Sequence, residues 1–245
     1  MKLSHLLRTL FIALALPFTA SSQAADVPEP ESAQWDNTFS IVARDPATGA
    51  VGGAVSTARL SVGNRVLQVE FGLGAVASQA NTNTMLARDA LDRLRLGATA
   101  VEALDAALLA DEKREERQLS VMSAKGTQAA FTGTKPDDFK GHIIGKDVVV
   151  AGNILVGRET LEAMVAAFEN TPGTLADRVM TALEAGQKAG GDRRGKISAA
   201  IVVLNEAPAT NSYARNIDLR VDSSKDPVGE LRTLFDAYKA AFKIK

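Results

Sequence analysis

Residues Thr38 to Ser56, TFSIVARDPATGAVGGAVS, carry the pattern that decides the fold. The first six residues, 38–43, alternate and are rich in β-forming side chains. Residues 45–49 read Asp-Pro-Ala-Thr-Gly, which is turn chemistry, and residues 50–56 return as a second β-prone run. A strand, a tight turn and a second strand predict a β-hairpin, so antiparallel pairing is expected to begin at Thr38.

Strands and paired helices alternate along the rest of the chain. Further strands are predicted at 66–71, 74–80, 118–123, 128–132, 147–151, 197–204 and 217–221. Helices are predicted at 85–96, 99–109, 159–169, 175–189 and 228–242, the fourth with a capping box formed by Thr174 and Asp177. Hairpins favour antiparallel sheets, and the helix pairs must cover the apolar faces of those sheets. We therefore expect an α+β protein, a four-layer αββα sandwich of two mainly antiparallel sheets flanked by helix layers.

The first 24 residues have the features of a cleavable secretory signal peptide. Lys2 and Arg8 make a positive start, and residues 10–16 form an unbroken apolar run that Pro17 ends. Ser22-Gln23-Ala24 is the small-x-small pattern that predicts cleavage after Ala24. The apolar run is far shorter than the ~20 residues that a transmembrane helix needs. We therefore expect a periplasmic or secreted protein that has no membrane anchor once residues 1–24 are removed.

Beyond the predicted signal peptide, the chain divides into a leader and a domain that begins with the hairpin. Residues 25–37, ADVPEPESAQWDN, combine proline, acids and small polar residues, which is typical of a flexible leader. The content of 46% hydrophobic and 23% charged residues is ordinary for a globular protein. Residues 38–245 are therefore expected to form a single domain with one sizeable core.

Composition excludes several kinds of site. The chain has no cysteine, which excludes disulfides, thiolate metal sites and a cysteine nucleophile. His142 is the one histidine beyond the predicted signal peptide, so a multi-histidine zinc site is excluded, and we expect this residue in a solvated loop. The net charge of −1 and the aromatic content of 5%, without a basic stripe, argue against a nucleic-acid partner. No metal or cofactor is indicated, and residues 112–117, EKREER, are expected to be a solvated helix end.

Four segments hold more Gly, Asn, Gln and adjacent charge than packing requires, namely 38–49, 77–83, 151–157 and 190–196. They belong to a longer series that reads TFSIVARDPATGAVGGAVS, GLGAVASQANTN, ERQLSVMSAKGTQAAFTG, AGNILVG, EAMVAAFE, AGGDRRGK and IDLRVD. With these stretches in order over residues 38–229, the chain resembles the family catalogued as domain of unknown function 1028, which is assigned to the N-terminal-nucleophile (Ntn) hydrolase superfamily. The resemblance implies a four-layer αββα fold, in agreement with the layer argument above.

The resemblance also implies that Thr38 is a catalytic nucleophile. Members of that superfamily attack an amide carbonyl with the hydroxyl of the first residue of the mature chain, whose free α-amine serves as the base. Such an amine has a pKa of ~7.7–8.0, so it transfers protons near neutral pH without a histidine. Here residues 25–37 stand ahead of Thr38, so the chemistry needs a second cut between Asn37 and Thr38. Without that cut, Thr38 is a β-forming residue that opens a strand.

Further candidates each have a catalytic and a structural interpretation. Arg59 follows the second strand, where a cation beside the nucleophile would lower the pKa of the amine and stabilise an oxyanion. The alternative for Arg59 is a surface arginine. Ser78, Gln79 and Asn81 lie at a strand end, where they either bind a substrate amide or oxyanion, or cap the following loop.

Two later segments complete the candidate set. Asn153 follows a strand, where it either donates to an oxyanion or adopts a left-handed turn conformation. Arg193 and Arg194 form a pair able to bind a carboxylate or phosphate, and Asp192 would orient one of them or the amine of the nucleophile. The neighbouring glycines are also explained as a helix C-cap.

Three functions follow from these observations. The first is an exported Ntn-type hydrolase that cleaves the C–N bond of a small or peptide-like amide, with Thr38 as nucleophile. The second is a non-catalytic ligand-binding module on the same fold, and the third is a structural or surface-assembly protein. The sequence is compatible with a homodimer, although it shows no interface.

Overall fold

The structure, a computed structural model, describes residues 38–205 and 216–243. The predicted signal peptide (1–24) and leader (25–37) lie outside these residues, as does the proposed cut between Asn37 and Thr38. Their boundaries, and with them the extent of the domain, therefore stay predictions. None of the helices in the described ranges is long and apolar enough to span a membrane.

Ten strands and five helices lie within the described ranges. The strands are β1 (Thr38–Arg44), β2 (Val51–Thr57), β3 (Leu67–Glu70), β4 (Gly74–Ala80), β5 (Arg117–Ser123), β6 (Gln128–Thr132), β7 (Gly141–Gly145), β8 (Val148–Gly152), β9 (Ser198–Leu204) and β10 (Ile217–Val221). The helices are α1 (Thr84–Arg95), α2 (Ala100–Leu109), α3 (Glu159–Asn170), α4 (Leu175–Lys188) and α5 (Pro227–Phe242).

The opening hairpin forms as predicted. Strands β1 and β2 pair antiparallel, from Thr38 opposite Thr57 at one end to Arg44 opposite Val51 at the turn. Asp45 stabilises the turn, because its carboxylate accepts from the Ala47 amide at 3.0 Å and from the Thr48 hydroxyl at 2.9 Å. Local side-chain chemistry thus fixes the register of the first strand pair.

The strands form two antiparallel sheets, which confirms the expected sheet type. One has six strands in the order β10-β9-β2-β1-β8-β7, and the other has four in the order β3-β4-β5-β6. The hairpin β1–β2 occupies the middle of the larger sheet, between β8 and β9. Strands from the C-terminal half of the chain therefore flank the N-terminal hairpin on both sides.

Three apolar layers hold the sandwich together. Helices α3, α4 and α5 pack on the outer face of the six-stranded sheet, around side chains such as Phe39 and Phe168. Helices α1 and α2 cover the four-stranded sheet around Leu104 and Leu119. A third cluster lies between the sheets and includes Val42. The order helix, sheet, sheet, helix confirms the four-layer αββα fold.

Two helices begin at reciprocal caps. Thr174 accepts from the Asp177 amide while the Asp177 carboxylate accepts from the Thr174 amide, which confirms the predicted capping box. Thr99 and Glu102 make the same arrangement at α2. Each cap satisfies amides that the first helical turn leaves free, which stabilises a helix by about 1 kcal/mol.

Two local expectations are wrong. His142 does not lie in a solvated loop but on the edge strand β7, where it is half-buried opposite Ala151. This strand has only five residues, GHIIG, and its glycines hide the β pattern. Residues 112–117 do not end α2, which stops at Leu109; residues 112–114 are exposed, as expected, and a short 3₁₀ helix spans Arg114–Glu116. Arg117 is buried at the start of β5 and pairs with Asp111 at 2.7 Å.

Replacing Gly52 in β2 by alanine tests how tightly the central hairpin is packed. A Cβ at this position would lie 2.4 Å from the Val202 carbonyl oxygen and 2.8 Å from the Val203 Cα, both backbone atoms. We expect Gly52→Ala to lower the free energy of unfolding by about 3 kcal/mol. The control is Gly49→Ala in the same hairpin, where nothing lies within 4 Å and only the φ of +78° is unfavourable. Gly49→Ala should lower the free energy of unfolding by about 1 kcal/mol. Urea unfolding measures both variants, and an equal loss of stability in the two would contradict the close packing at Gly52.

Candidate functional site

Polar side chains from both sheets meet at one end of the layer between the sheets. Side chains alternate along a strand, so Thr38 shares a face of β1 with Val42, which packs in that layer. By the same alternation, Gln118 shares a face of β5 with Met122. Gln79 lies opposite Gln118 in the β4–β5 pair. The apolar layer thus has a polar end, and Thr38 is part of it.

Thr38 is buried and is held from both sheets. Its carbonyl oxygen accepts a hydrogen bond from the backbone amide of Asn153, at 3.1 Å, within the six-stranded sheet. The same oxygen lies 3.4 Å from the side-chain nitrogen of Gln79, which reaches it from the four-stranded sheet. The first residue of β1 is therefore positioned by contacts on two sides.

The amide of Gln118 links these contacts. Its nitrogen donates to the carbonyl oxygens of Gly141 and Gly152, each at 2.9 Å, and its oxygen accepts from Gln79 at 2.6 Å and from Asn153 at 3.0 Å. Gln118 is fully buried, so these bonds replace those that water would otherwise make. The sequence does not single out Gln118, because a glutamine in an alternating strand has the pattern of an ordinary solvent-facing position.

A second hydrogen-bond chain leads from Gln118 to His142. The side-chain nitrogen of Gln118 lies 2.9 Å from the Thr132 hydroxyl oxygen, which in turn lies 2.9 Å from His142 Nδ1. The two protons of the Gln118 nitrogen are shared among three acceptors, so the direction of the Thr132–His142 hydrogen bond depends on the tautomer of the ring. Burial lowers the pKa of His142 below its usual value, which favours a neutral ring.

The loop at residues 190–196 joins the strands on either side of β1. The buried carboxylate of Asp192 accepts from the Ala58 amide, just after β2, at 3.1 Å, and pairs with Arg194 at 2.8 Å. The backbone amide of Arg193 donates to the Ile154 carbonyl, just beyond β8, at 2.9 Å. The side chain of Arg193 is exposed. Asp192 thus orients one of the two arginines and ties the loop to the end of β2 beside the start of β1.

Two other candidates serve local structure, and a third, Arg59, lies just beyond β2. The Ser78 hydroxyl donates to the Asn83 carbonyl at 2.9 Å, and the Asn81 amide donates to Glu116 at 2.8 Å, so both stabilise the loop before α1. Arg59 is half-buried two residues after β2, and its carbonyl accepts from a buried serine hydroxyl at 2.6 Å. Of the candidates in 77–83, only Gln79 is brought to Thr38.

The backbone is strained beside both amides that contact Thr38. Ala80, directly after Gln79, has a φ of 72°, and Ile154, directly after Asn153, has a φ of 50°. Left-handed conformations cost residues other than glycine about 1–3 kcal/mol, and they concentrate at functional sites. A β-branched isoleucine is especially unfavourable there. Contacts around the site therefore hold these two strand ends in backbone conformations that are otherwise unfavourable.

Comparison with known proteins agrees with this architecture. The model of the family described as "Family of unknown function (DUF1028)" matches residues 38–231. The crystal structure of a DUF1028 protein from Silicibacter pomeroyi is similar to this chain, with 36% identity and a TM-score of 0.76. The similarity covers 83% of this chain and 86% of that one. No curated protein matches the chain.

Replacing Gln118 by leucine tests whether its amide joins the sheets. We expect Gln118→Leu to lower the free energy of unfolding by more than about 3 kcal/mol, because several buried polar groups lose their partner at once. The control is Gln68→Leu, whose amide makes one solvent-exposed bond to the Thr84 carbonyl and should cost less than about 1 kcal/mol. Similar urea midpoints for the two variants would argue against a shared network.

The lowered pKa of His142 predicts a pH-dependent stability. An unfolded histidine has a pKa of ~6.5, so between this value and the lower folded pKa the unfolded chain binds more protons. His142 therefore contributes stability that is complete above about pH 6.5 and is lost as the pH falls through that window. Urea unfolding from about pH 8 to about pH 5 should show this loss in the native chain and not in His142→Gln. If the free energy of unfolding of His142→Gln fell with decreasing pH as steeply as that of the native chain, the prediction would be contradicted.

Proposed function

The chain belongs to the DUF1028 family of unknown function, and on this basis we propose that it is an exported Ntn-type hydrolase that cleaves an amide bond with Thr38 as nucleophile. The observation that carries the proposal is the position of Thr38. It is buried at the start of a central strand, and amides from both sheets bind its carbonyl oxygen. A nucleophile needs such fixed geometry, since proximity and orientation supply much of the rate enhancement.

The proposed reaction needs Thr38 as the first residue of the mature chain. Its α-amine takes the proton of the Thr38 hydroxyl while the oxygen attacks the substrate carbonyl carbon. The C–N bond then breaks, and the leaving amine takes that proton from the α-ammonium group. Water, activated by the same amine, hydrolyses the ester on Thr38 and releases the acid. The net change is addition of one water across one amide bond.

The surrounding residues have distinct roles in this proposal. Asn153 positions Thr38, because its backbone amide binds the Thr38 carbonyl and its side-chain amide donates to Gln118. Asp192 is neutralised by Arg194 and holds the neighbouring loop. Arg59 supplies positive charge near the start of β1, which would keep the pKa of the amine low. Arg193 is an exposed cation for a substrate carboxylate.

Export and activation are linked in this proposal. Signal peptidase would cut after Ala24, and a second cut between Asn37 and Thr38 would free the amine. If the second cut does not occur, the nitrogen of Thr38 stays an amide and cannot act as a base. The protein would then be a ligand-binding module on the same fold.

Intact mass and turnover together test the proposal. We expect the exported protein to have a mass that begins at Thr38, and a panel of small amides and p-nitroanilides to include a substrate. Thr38→Val keeps the side-chain shape but removes the hydroxyl, so turnover should fall by at least about 1,000-fold. Thr38→Ser should keep activity, because it retains the hydroxyl. A mass that begins at Ala25 under all conditions, or turnover that survives in Thr38→Val, would contradict the mechanism.

A further inference from the structure

The hydrogen bonds of Gln118 determine which way the neighbouring amides point. Oxygen and nitrogen of a side-chain amide are distinguished by their partners. The end of Gln118 that faces the Gly141 and Gly152 carbonyl oxygens must be the nitrogen, since a carbonyl oxygen only accepts. Its oxygen therefore faces Gln79 and Asn153, and both of these must present their NH2 groups to it.

This orientation leaves the oxygen of Gln79 without a hydrogen bond from any residue in 38–205 or 216–243. Its nitrogen contacts two acceptors, the Gln118 oxygen at 2.6 Å and the Thr38 carbonyl oxygen at 3.4 Å. Its own oxygen is buried and has no partner among the residues that the structure describes, and the residue as a whole is 1% exposed. A buried acceptor without a donor costs about 1–3 kcal/mol, so a donor supplied by a ligand would recover that energy.

The free oxygen lies close to Thr38. The two polar atoms of an amide are about 2.3 Å apart by covalent geometry, and the nitrogen of Gln79 is 3.4 Å from the Thr38 carbonyl. The oxygen is therefore within about 6 Å of that carbonyl, given the bond lengths of an amide. A substrate bound at Thr38, as the proposed function requires, would therefore lie near the Gln79 oxygen.

We propose that Gln79 is a specificity-determining residue that accepts an N–H from the substrate. The Gln79 side-chain nitrogen already donates to Gln118, so the free oxygen accepts a hydrogen bond from the substrate. Gln79 therefore does not stabilise an oxyanion. The site then selects primary and secondary amides, which carry an N–H, over esters and tertiary amides, which lack it. The inference rests on the proposed function for the placement of the substrate beside Thr38. A site built to bind a particular N–H rejects an analogue that leaves its acceptor unpaired.

Binding of two isosteric probes tests this inference without turnover. N-methylacetamide carries an N–H where methyl acetate has an oxygen, and the Thr38→Val background prevents hydrolysis of either. In NMR titrations of the mature chain we expect N-methylacetamide to bind at least about tenfold more tightly, a difference of about 1.4 kcal/mol. The ¹³C resonance of the Gln79 side-chain carbonyl should move with the amide and not with the ester. This readout reports on the oxygen itself and needs no substitution of Gln79.

Two further variants show whether the preference comes from this residue. Gln79→Met should bind both probes equally, whereas the matched surface variant Gln68→Met should keep the tenfold preference. Equal affinities in the parent chain, binding of neither probe, or a preference that survives Gln79→Met would overturn the inference. The proposed function fails separately, through the mass of the mature chain and the turnover of Thr38→Val. If Thr38-dependent turnover were as fast for esters and tertiary amides as for secondary amides, the hydrolase function would stand. The proposed role of Gln79 would then be contradicted.

Discussion

The fold and the candidate site both depend on one buried amide, that of Gln118. It is fully buried at the polar end of the layer between the sheets, so each of its polar atoms must find a partner in the protein. Its bonds reach the carbonyls of Gly141 and Gly152 in the opposite sheet, and the amides of Gln79 and Asn153. The contact that holds the two sheets in register at this end is therefore also the contact that orients the groups around Thr38.

Local chemistry made most of the elements predictable. The turn at 45–49 and the capping box at Thr174 depend on side chains a few residues apart, and both appear where the sequence indicates them. The resemblance to DUF1028 and the layer argument led independently to the αββα fold. Strand β7 could not be recognised, because five residues with a glycine at each end carry almost no alternation. Sheet order depends on contacts between residues far apart in sequence, which a local pattern does not contain.

The site was predictable only in part, for a related reason. The family resemblance singles out Thr38, and the strand-end positions of Gln79 and Asn153 single out those two residues. The structure brings the three together. Ser78 looks similar in the sequence, but alternation turns its side chain to the other face of β4, where it bonds to the next loop. Gln118 lies in a strand whose sequence alternates between polar and apolar residues from Gln118 to Val121, although every residue of the strand is buried. Only the pairing of the sheets shows that its polar face is turned inwards.

The position of the hairpin in the six-stranded sheet also has a consequence for folding during synthesis. The hairpin β1–β2 is completed early in the chain, yet its neighbours β8 and β9 are made much later. Until they arrive, both edges of the hairpin expose unpaired backbone groups, which are templates for aggregation. Closing contacts over such long sequence separations is slow. The hairpin β1–β2 is thus made first and completes its strand pairing only after β9 is made. Chaperones that bind unfolded chains would protect its exposed edges during that interval.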